Sequence, residues 1–217
     1  MADDVEREKR LAAETAAELV QDGMVVGLGT GSTAAYLIAP LASRRLNLTC
    51  VATSVVTADA ATAHGLQVVD FASPDAPAWL DIAIDGADQV DPAGWLVKGG
   101  GGAHTREKAV AAAAERFVVI VSANKLVERL TGPIPLELAR FGLASTLARL
   151  RTARLRDAPL SPDGGVIADY LVEFDDPAAL AARLSAEPGV VEHGLFPAEM
   201  VSEVVVGRGD RAERMEL

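Results

Sequence analysis

Cysteine is nearly absent from this chain. One residue, Cys50, in 217 rules out a disulfide framework or a thiolate metal site within a single chain. Set in the apolar run LNLTCVAT, it reads as a small buried hydrophobe rather than a nucleophile. Aromatic residues are equally scarce, at 4%, which leaves little material for stacking nucleic-acid bases. Positive charge is in the minority. Twenty Lys and Arg against 31 Asp and Glu give a formal net charge of -11, which argues against non-specific attachment to nucleic acid or to an anionic membrane. A locally basic pocket for an anionic substrate is still compatible with that balance. No apolar run approaches the length of a membrane span. The start, MADDVEREKR, has neither a basic n-region nor an apolar h-region, so a soluble, cytoplasmic protein is expected. No HExxH and no His/Cys ligand cluster occurs, so no metal site is expected.

What the chain does have is aliphatic residues and glycine. Half of it is hydrophobic, enough for one generous domain or for one domain carrying an insertion. Residues 4–21 space Val5, Leu11, Ala12, Leu19 and Val20 along one helical face before Asp22-Gly23 breaks the pattern. MVVGLGTGSTAAYLIAPLA then reads as a strand, a glycine-rich turn over Gly27–Gly31, and a helix capped by Ser32 or Thr33. Backbone N–H groups in such a turn point inward, and the helix start adds positive potential, which suits a phosphate. The turn is not a dinucleotide fingerprint, because Ser32 stands where its third glycine belongs. Nor is it a nucleotide P-loop, because it has no lysine. Thr30, Ser32 and Thr33 offer three hydroxyls suited to one terminal phosphate. LNLTCVATS follows as a strand with Thr53, Ser54 and Thr57 at its end, where helix capping is an equal explanation.

The most informative stretch is DIAIDGADQVDPAGWLVKGGGGAHTREK, residues 81–108. A buried strand ends in Asp85 and Asp88. A second apolar run ends in Lys98. Gly99, Gly100, Gly101 and Gly102 follow, and a helix opens with Glu107 in its first turn. Four consecutive glycines cost conformational entropy and pack nothing, so a core has no use for them. Ligands of open α/β sheets bind at the carboxyl ends of strands, which is where these groups fall. Strand Phe117–Val121 next delivers Lys125 to the same edge.

Alternating strands and helices of these lengths predict an α/β fold, a Rossmann-like, doubly wound, mostly parallel sheet. The texture changes near Thr131. PIPLELA, GLASTLARLR, TARLR, VIADYLVEF, DPAALAARLSAE and GVVEHGLF read as β-α-β-β-α-β, the ferredoxin-like order. A smaller α+β domain over 131–198 is therefore expected inside a catalytic domain of 1–130 and 199–217, with EVVVGR (203–208) as the last strand.

A phosphate cradle, two carboxylates, a lysine and a helix-borne glutamate suit acid–base chemistry on a small phosphorylated molecule. Aldose–ketose isomerisation asks for little more. GLGTGSTA (27–34), DGAD (85–88), KGGGGAHTREK (98–108), SANK (122–125), IPLEL (134–138) and PGVVEHGLF (188–196) together resemble the ribose-5-phosphate isomerase A family over nearly the whole chain. The resemblance implies interconversion of ribose 5-phosphate and ribulose 5-phosphate in the non-oxidative pentose phosphate pathway, without cofactor, by a homodimer or homotetramer. It makes Glu107 the general base, assigns ring opening and hydroxyl binding to Asp85 with Asp88 beside it, and lets Lys98 stabilise enediolate charge. It adds N–H groups of Gly99, Gly100 and Gly101, the intervening Gly86 and Ala87, a phosphate grip from Thr30, Gly31, Ser32 and Thr33, and a contact from Lys125. Two positions depart from the family pattern. His104 replaces an apolar residue and is expected as a solvated loop histidine, and Gly164-Gly165 replaces Gly-Asn. The competing readings are a sugar-phosphate sensor without turnover, an amino-sugar-phosphate deaminase and a CoA transferase.

Overall fold

A computed structural model describes residues 2–216. The first half of the chain forms α1 (Ala2–Ala17), β1 (Val25–Leu28), α2 (Ala35–Ser43), β2 (Thr49–Ala52), α3 (Val55–Ala63), β3 (Gln67–Val69), β4 (Ile82–Gly86), β5 (Gln89–Val90), β6 (Leu96–Val97) and α4 (His104–Ala113). There follow β7 (Phe117–Ser122), β8 (Ile134–Leu138), α5 (Leu143–Leu150), β9 (Ala153–Leu155), β10 (Val166–Tyr170), α6 (Pro177–Ser185), β11 (Val190–His193), β12 (Leu195–Phe196), β13 (Glu203–Arg208) and β14 (Arg211–Glu216). Two compact units result. One comprises Met1–Ala87, Arg106–Leu126 and Glu199–Leu217, the other Asp88–Thr105 and Val127–Ala198.

The first unit is built on a seven-stranded sheet in the order β14-β13-β7-β4-β1-β2-β3. Six strands are parallel, and β14 lies antiparallel on β13. Strands covered on both faces need apolar residues at every position rather than at alternate ones. That is what FVVIVS supplies, with all six residues of β7 buried. Val26, Leu28, Leu37, Leu41, Ile82, Ile84, Val118 and Ile120 form the core with the alanine face of α1, Ala12, Ala13 and Ala16. That helix comes so close to β13 that a Cβ on Gly207 would sit 1.9 Å from the carbonyl oxygen of Glu8.

Two sequence expectations fail in this unit. Strand β14 goes unread in RAERME because it is a charged edge strand, with Arg214 paired to Glu203 of β13 rather than an apolar row. Helix α2 begins at Ala35, and its cap position, Ala34, has no side-chain cap bond, so neither Ser32 nor Thr33 caps it. The intervening residues form a tight turn in which Ala35 N–H donates to Gly31 O and Tyr36 N–H to Thr33 O.

The second unit carries a four-stranded antiparallel sheet, β11-β8-β10-β9, with α5 and α6 as its crossovers. With strands numbered within this sheet the order is 4-1-3-2, the ferredoxin-like arrangement that the β-α-β-β-α-β reading implies. Leu136, Leu138, Leu150, Ala168, Tyr170, Leu180 and Leu184 fill its core. A small second sheet joins β12, β6 and β5. GVVEHGLF, expected as one strand, is split at Gly194 between the two sheets. A side chain there is impossible, since a Cβ would lie 2.1 Å from the carbonyl oxygen of Lys98. Residues 88–105, read from the sequence as part of the larger domain, group instead with 127–198. Their β5–β6 hairpin finds its third strand in β12.

Candidate active site

In the first unit the glycine-rich turn is built around Asp85. Its carboxylate, 3% exposed at the carboxyl end of β4, accepts hydrogen bonds from Thr30 N–H (3.1 Å) and Gly86 N–H (2.7 Å) through one oxygen. Gly29 must be glycine, because a Cβ there would lie 2.0 Å from the Asp85 carboxyl carbon. The turn is held from its other side by hydroxyls. Thr30 Oγ1 lies 2.7 Å from Ser54 Oγ, 2.8 Å from Thr57 Oγ1 and 3.0 Å from Thr53 Oγ1. Thr57 also donates to the carbonyl of Gly29, and Ser54 caps α3 by accepting from Thr57 N–H. A hydroxyl has one proton and two lone pairs, so these three neighbours engage Thr30 fully. Thr30 therefore shapes the turn, while Gly31 and Ser32 are exposed and Thr33 is half-buried beside Gly86.

Glu107 lies on α4 and is 5% exposed. The helix rests on β1, where a Cβ on Gly27 would meet Val110 at 2.5 Å. Because α4 runs back to feed β7, Glu107 stands toward the carboxyl edge of the parallel sheet, the edge where β4 ends in Asp85. Lys125 follows β7 at the same edge, in a short 3₁₀ turn whose Ala123 N–H donates to Glu8. Cys50, inside β2, is buried, and burial pushes its thiol up to about 11, in keeping with an inert core residue.

In the second unit Lys98 is 2% exposed, with its ammonium 5.5 Å from the centroid of the Phe196 ring. An aromatic face attracts a cation, so Phe196 is one contact of the lysine head. Asp88 donates its N–H to Val97 O in the hairpin and accepts from Gly100 N–H at 2.9 Å. Of the three glycine N–H groups expected to face substrate, that of Gly100 is thus already bound to Asp88. Gly99 is left-handed, with φ 102°, and a Cβ on it would press 2.7 Å from His104 Nδ1. His104 itself is fully buried at the start of α4. The expected solvated loop histidine is instead a packed residue, since glycine beneath it leaves room for the ring.

The groups that sequence reasoning missed come from far along the chain. Phe196 is one. Arg156 and Asp169 form a forked ion pair whose guanidinium also reaches the carbonyls of Gly99 and Gly100. Glu137, buried in β8, binds Thr105 and Ser161. Nothing in their spacing announces these contacts, because β-sheet register, not local sequence, creates them. One local trace exists. Gly165 is glycine where Asn was expected, and a Cβ there would fall 2.2 Å from Glu137 Oε1.

The family model of ribose 5-phosphate isomerase A (phosphoriboisomerase A) matches residues 49–211. A model of the DeoR C-terminal sensor domain matches residues 4–70. The ribose-5-phosphate isomerase A of Methanoregula boonei is 44% identical over 209 residues, covering 90% of this chain and 87% of its own. That of Thermosynechococcus vestitus is 42% identical over 233 residues, covering 96% and 97%. The solved structure of ribose 5-phosphate isomerase A from Methanocaldococcus jannaschii superposes with a TM-score of 0.88 at 34% identity, covering 96% of this chain and 98% of that one. A D-ribose-5-phosphate isomerase structure in complex with phospho-erythronic acid gives 0.90 at 33% identity, covering 98% and 99%.

Proposed function

Because this chain belongs to the ribose 5-phosphate isomerase A family, we propose that the groups gathered on residues 81–108 carry a proton between two neighbouring carbons of a pentose phosphate. The chain is an aldose–ketose isomerase that interconverts D-ribose 5-phosphate and D-ribulose 5-phosphate. Asp85, fixed by two backbone donors, assists opening of the furanose ring and binds its hydroxyls. Glu107 takes the proton from C2 of the open aldose. The electron pair left on C2 moves into a C1–C2 double bond, and charge collects on the C1 oxygen. The 2-hydroxyl proton passes to that oxygen, and Glu107 returns its proton to C1, which leaves the ketose. Lys98 and the outward N–H groups of its glycine loop meet the enediolate charge, which donors fixed in advance stabilise better than water does. Asp88 shapes that loop through Gly100. Gly31, Ser32 and Thr33 grip the phosphate on a turn set by Thr30, and Lys125 adds a further contact.

One observation carries this reading. Asp85, Lys98 and Glu107, all on one short segment, are each at most 5% exposed. Burying ionisable groups is costly, and a surface loop has no reason to do it. The phospho-erythronic acid bound in a relative supports an anionic, phosphorylated ligand.

The match to a sensor domain over 4–70 motivates one alternative, a binder without turnover. That match ends before Asp85. Ribulose 5-phosphate formation from ribose 5-phosphate, followed with EDTA present, separates the two. Conversion supports the isomerase. Binding of ribose 5-phosphate with no conversion sinks it and leaves the sensor. We further propose a cytoplasmic homodimer or homotetramer, for which light scattering on the eluting protein gives the mass.

A further inference from the structure

The segment from Gly99 to Thr105 lies outside every strand, yet both its ends are tied to the ferredoxin-like sheet of the same unit. At one end stands Arg156, just past β9, whose own N–H donates to Ile167 O across the sheet. Its guanidinium forms a fork with Asp169 of β10, Nε to Oδ2 at 2.9 Å and Nη2 to Oδ1 at 2.6 Å. The remaining nitrogen, Nη1, donates to Gly99 O at 2.8 Å and to Gly100 O at 3.1 Å. At the other end the Thr105 hydroxyl donates to Glu137, which is 2% exposed and also accepts from Ser161 Oγ at 2.5 Å. Glu107 lies two residues further along the chain.

A trans peptide points its C=O and its N–H in opposite directions. With Gly99 O on Arg156, the N–H of Gly100 is turned the other way, and there it meets Asp88. With Gly100 O on Arg156, the N–H of Gly101 is turned away from the guanidinium as well. One planar cation therefore sets two successive peptides. Lysine would not do this, because a point charge cannot hold a carboxylate through a fork and two carbonyls at once.

We propose that Arg156, oriented by Asp169, is a positioning residue for the isomerisation. It aims the N–H of Gly101, and with it the loop that follows Lys98, at the oxygen where negative charge develops. This rests on the reading above, in which that loop faces the enediolate. Arg156 touches no reacting atom, and its effect passes through the glycine peptides.

The test is Arg156→Lys, with Asp169→Asn as a second variant that leaves the arginine in place but frees its fork. Removing one donor to a developing oxyanion lowers kcat about 10²–10³-fold, and misaiming one is expected to cost about tenfold or more in both variants. KM for ribose 5-phosphate stays near the unaltered value, because an interaction realised mainly in the transition state appears in kcat. Amide exchange over residues 98–103 speeds up in both variants, while exchange in the core strands and the melting temperature are retained. Unchanged kcat in a folded Arg156→Lys protein overturns the proposal, as does a loss confined to KM. A loss of kcat that follows only a fall in melting temperature overturns it too. If the unaltered protein does not interconvert the two pentose phosphates, the functional reading is what fails. The exchange measurement then still decides the clamp, and unchanged exchange at 98–103 removes it.

Discussion

The two glycine-rich turns look alike in sequence but are held in opposite ways. The turn over Gly27–Thr33 is held by the ends of the two strands that flank its own. Gly29 makes room for Asp85 from the strand on one side, and the Thr30 hydroxyl is knotted to Thr53, Ser54 and Thr57 at the end of the strand on the other. The loop over Gly99–Gly102 is held from outside, by Asp88 on one side and by Arg156, some sixty residues on, from the other. A turn braced by the ends of adjoining strands is as rigid as the sheet. A loop braced by remote side chains is as rigid as the unit that carries them.

The largest effect in this account belongs to neither turn. Glu107→Gln removes the proposed base and should lower kcat by about a hundredfold or more, the usual size of general-base catalysis, which sets the scale for damage to either turn. Gly29→Ala comes next and breaks the first turn directly. Its methyl cannot coexist with the Asp85 carboxylate as placed, so a loss of about 1–3 kcal/mol in stability and a marked fall in activity are expected from denaturant unfolding and turnover.

A third prediction concerns the frame of the first unit. Hydrogen bonding from Arg214, with Arg116 behind it, holds the buried Glu203 carboxyl below its ordinary range despite the opposing effect of burial. A depressed carboxyl contributes stability that is complete above the unfolded value of about 4.3 and is lost as pH falls through the lowered folded value. Glu203→Gln should therefore melt lower than the unaltered protein at neutral pH, with the gap narrowing as the pH drops below that of the unfolded carboxyl. A gap that stays constant with pH would show that the ion pair is not its origin. The smallest effect is the sharpest contrast with Gly29. A Cβ on Gly101 meets nothing within 4 Å, so Gly101→Ala should leave the melting temperature nearly unmoved.

Much of the fold was legible because its signals are local. The buried parallel strands read as unbroken Val and Ile runs, and the β-α-β-β-α-β order of 134–193 follows from periodicity alone. Asp85, Lys98 and Glu107 stood out as candidates because they fall at strand ends and a helix start, and the family resemblance supplied their proposed roles. What escaped is what register creates. Arg156 follows a short, polar strand, and its meaning depends on the Asp169 side chain of the neighbouring strand and on a loop that neither sequence neighbourhood mentions. Strand β14 escaped because an edge can be held by charge. His104 looked solvated in a run of glycines, and it is buried because one of those glycines lacks a side chain beneath it.

The most direct test of the central claim is turnover of ribose 5-phosphate in D2O, carried through many cycles and read by NMR for deuterium at C1 of the ketose and C2 of the aldose. Proton transfer through an enediolate by Glu107 predicts that deuterium accumulates at both carbons with the unaltered protein and does so far more slowly with Glu107→Gln. Interconversion and deuterium uptake as fast with Glu107→Gln as with the unaltered protein would contradict it.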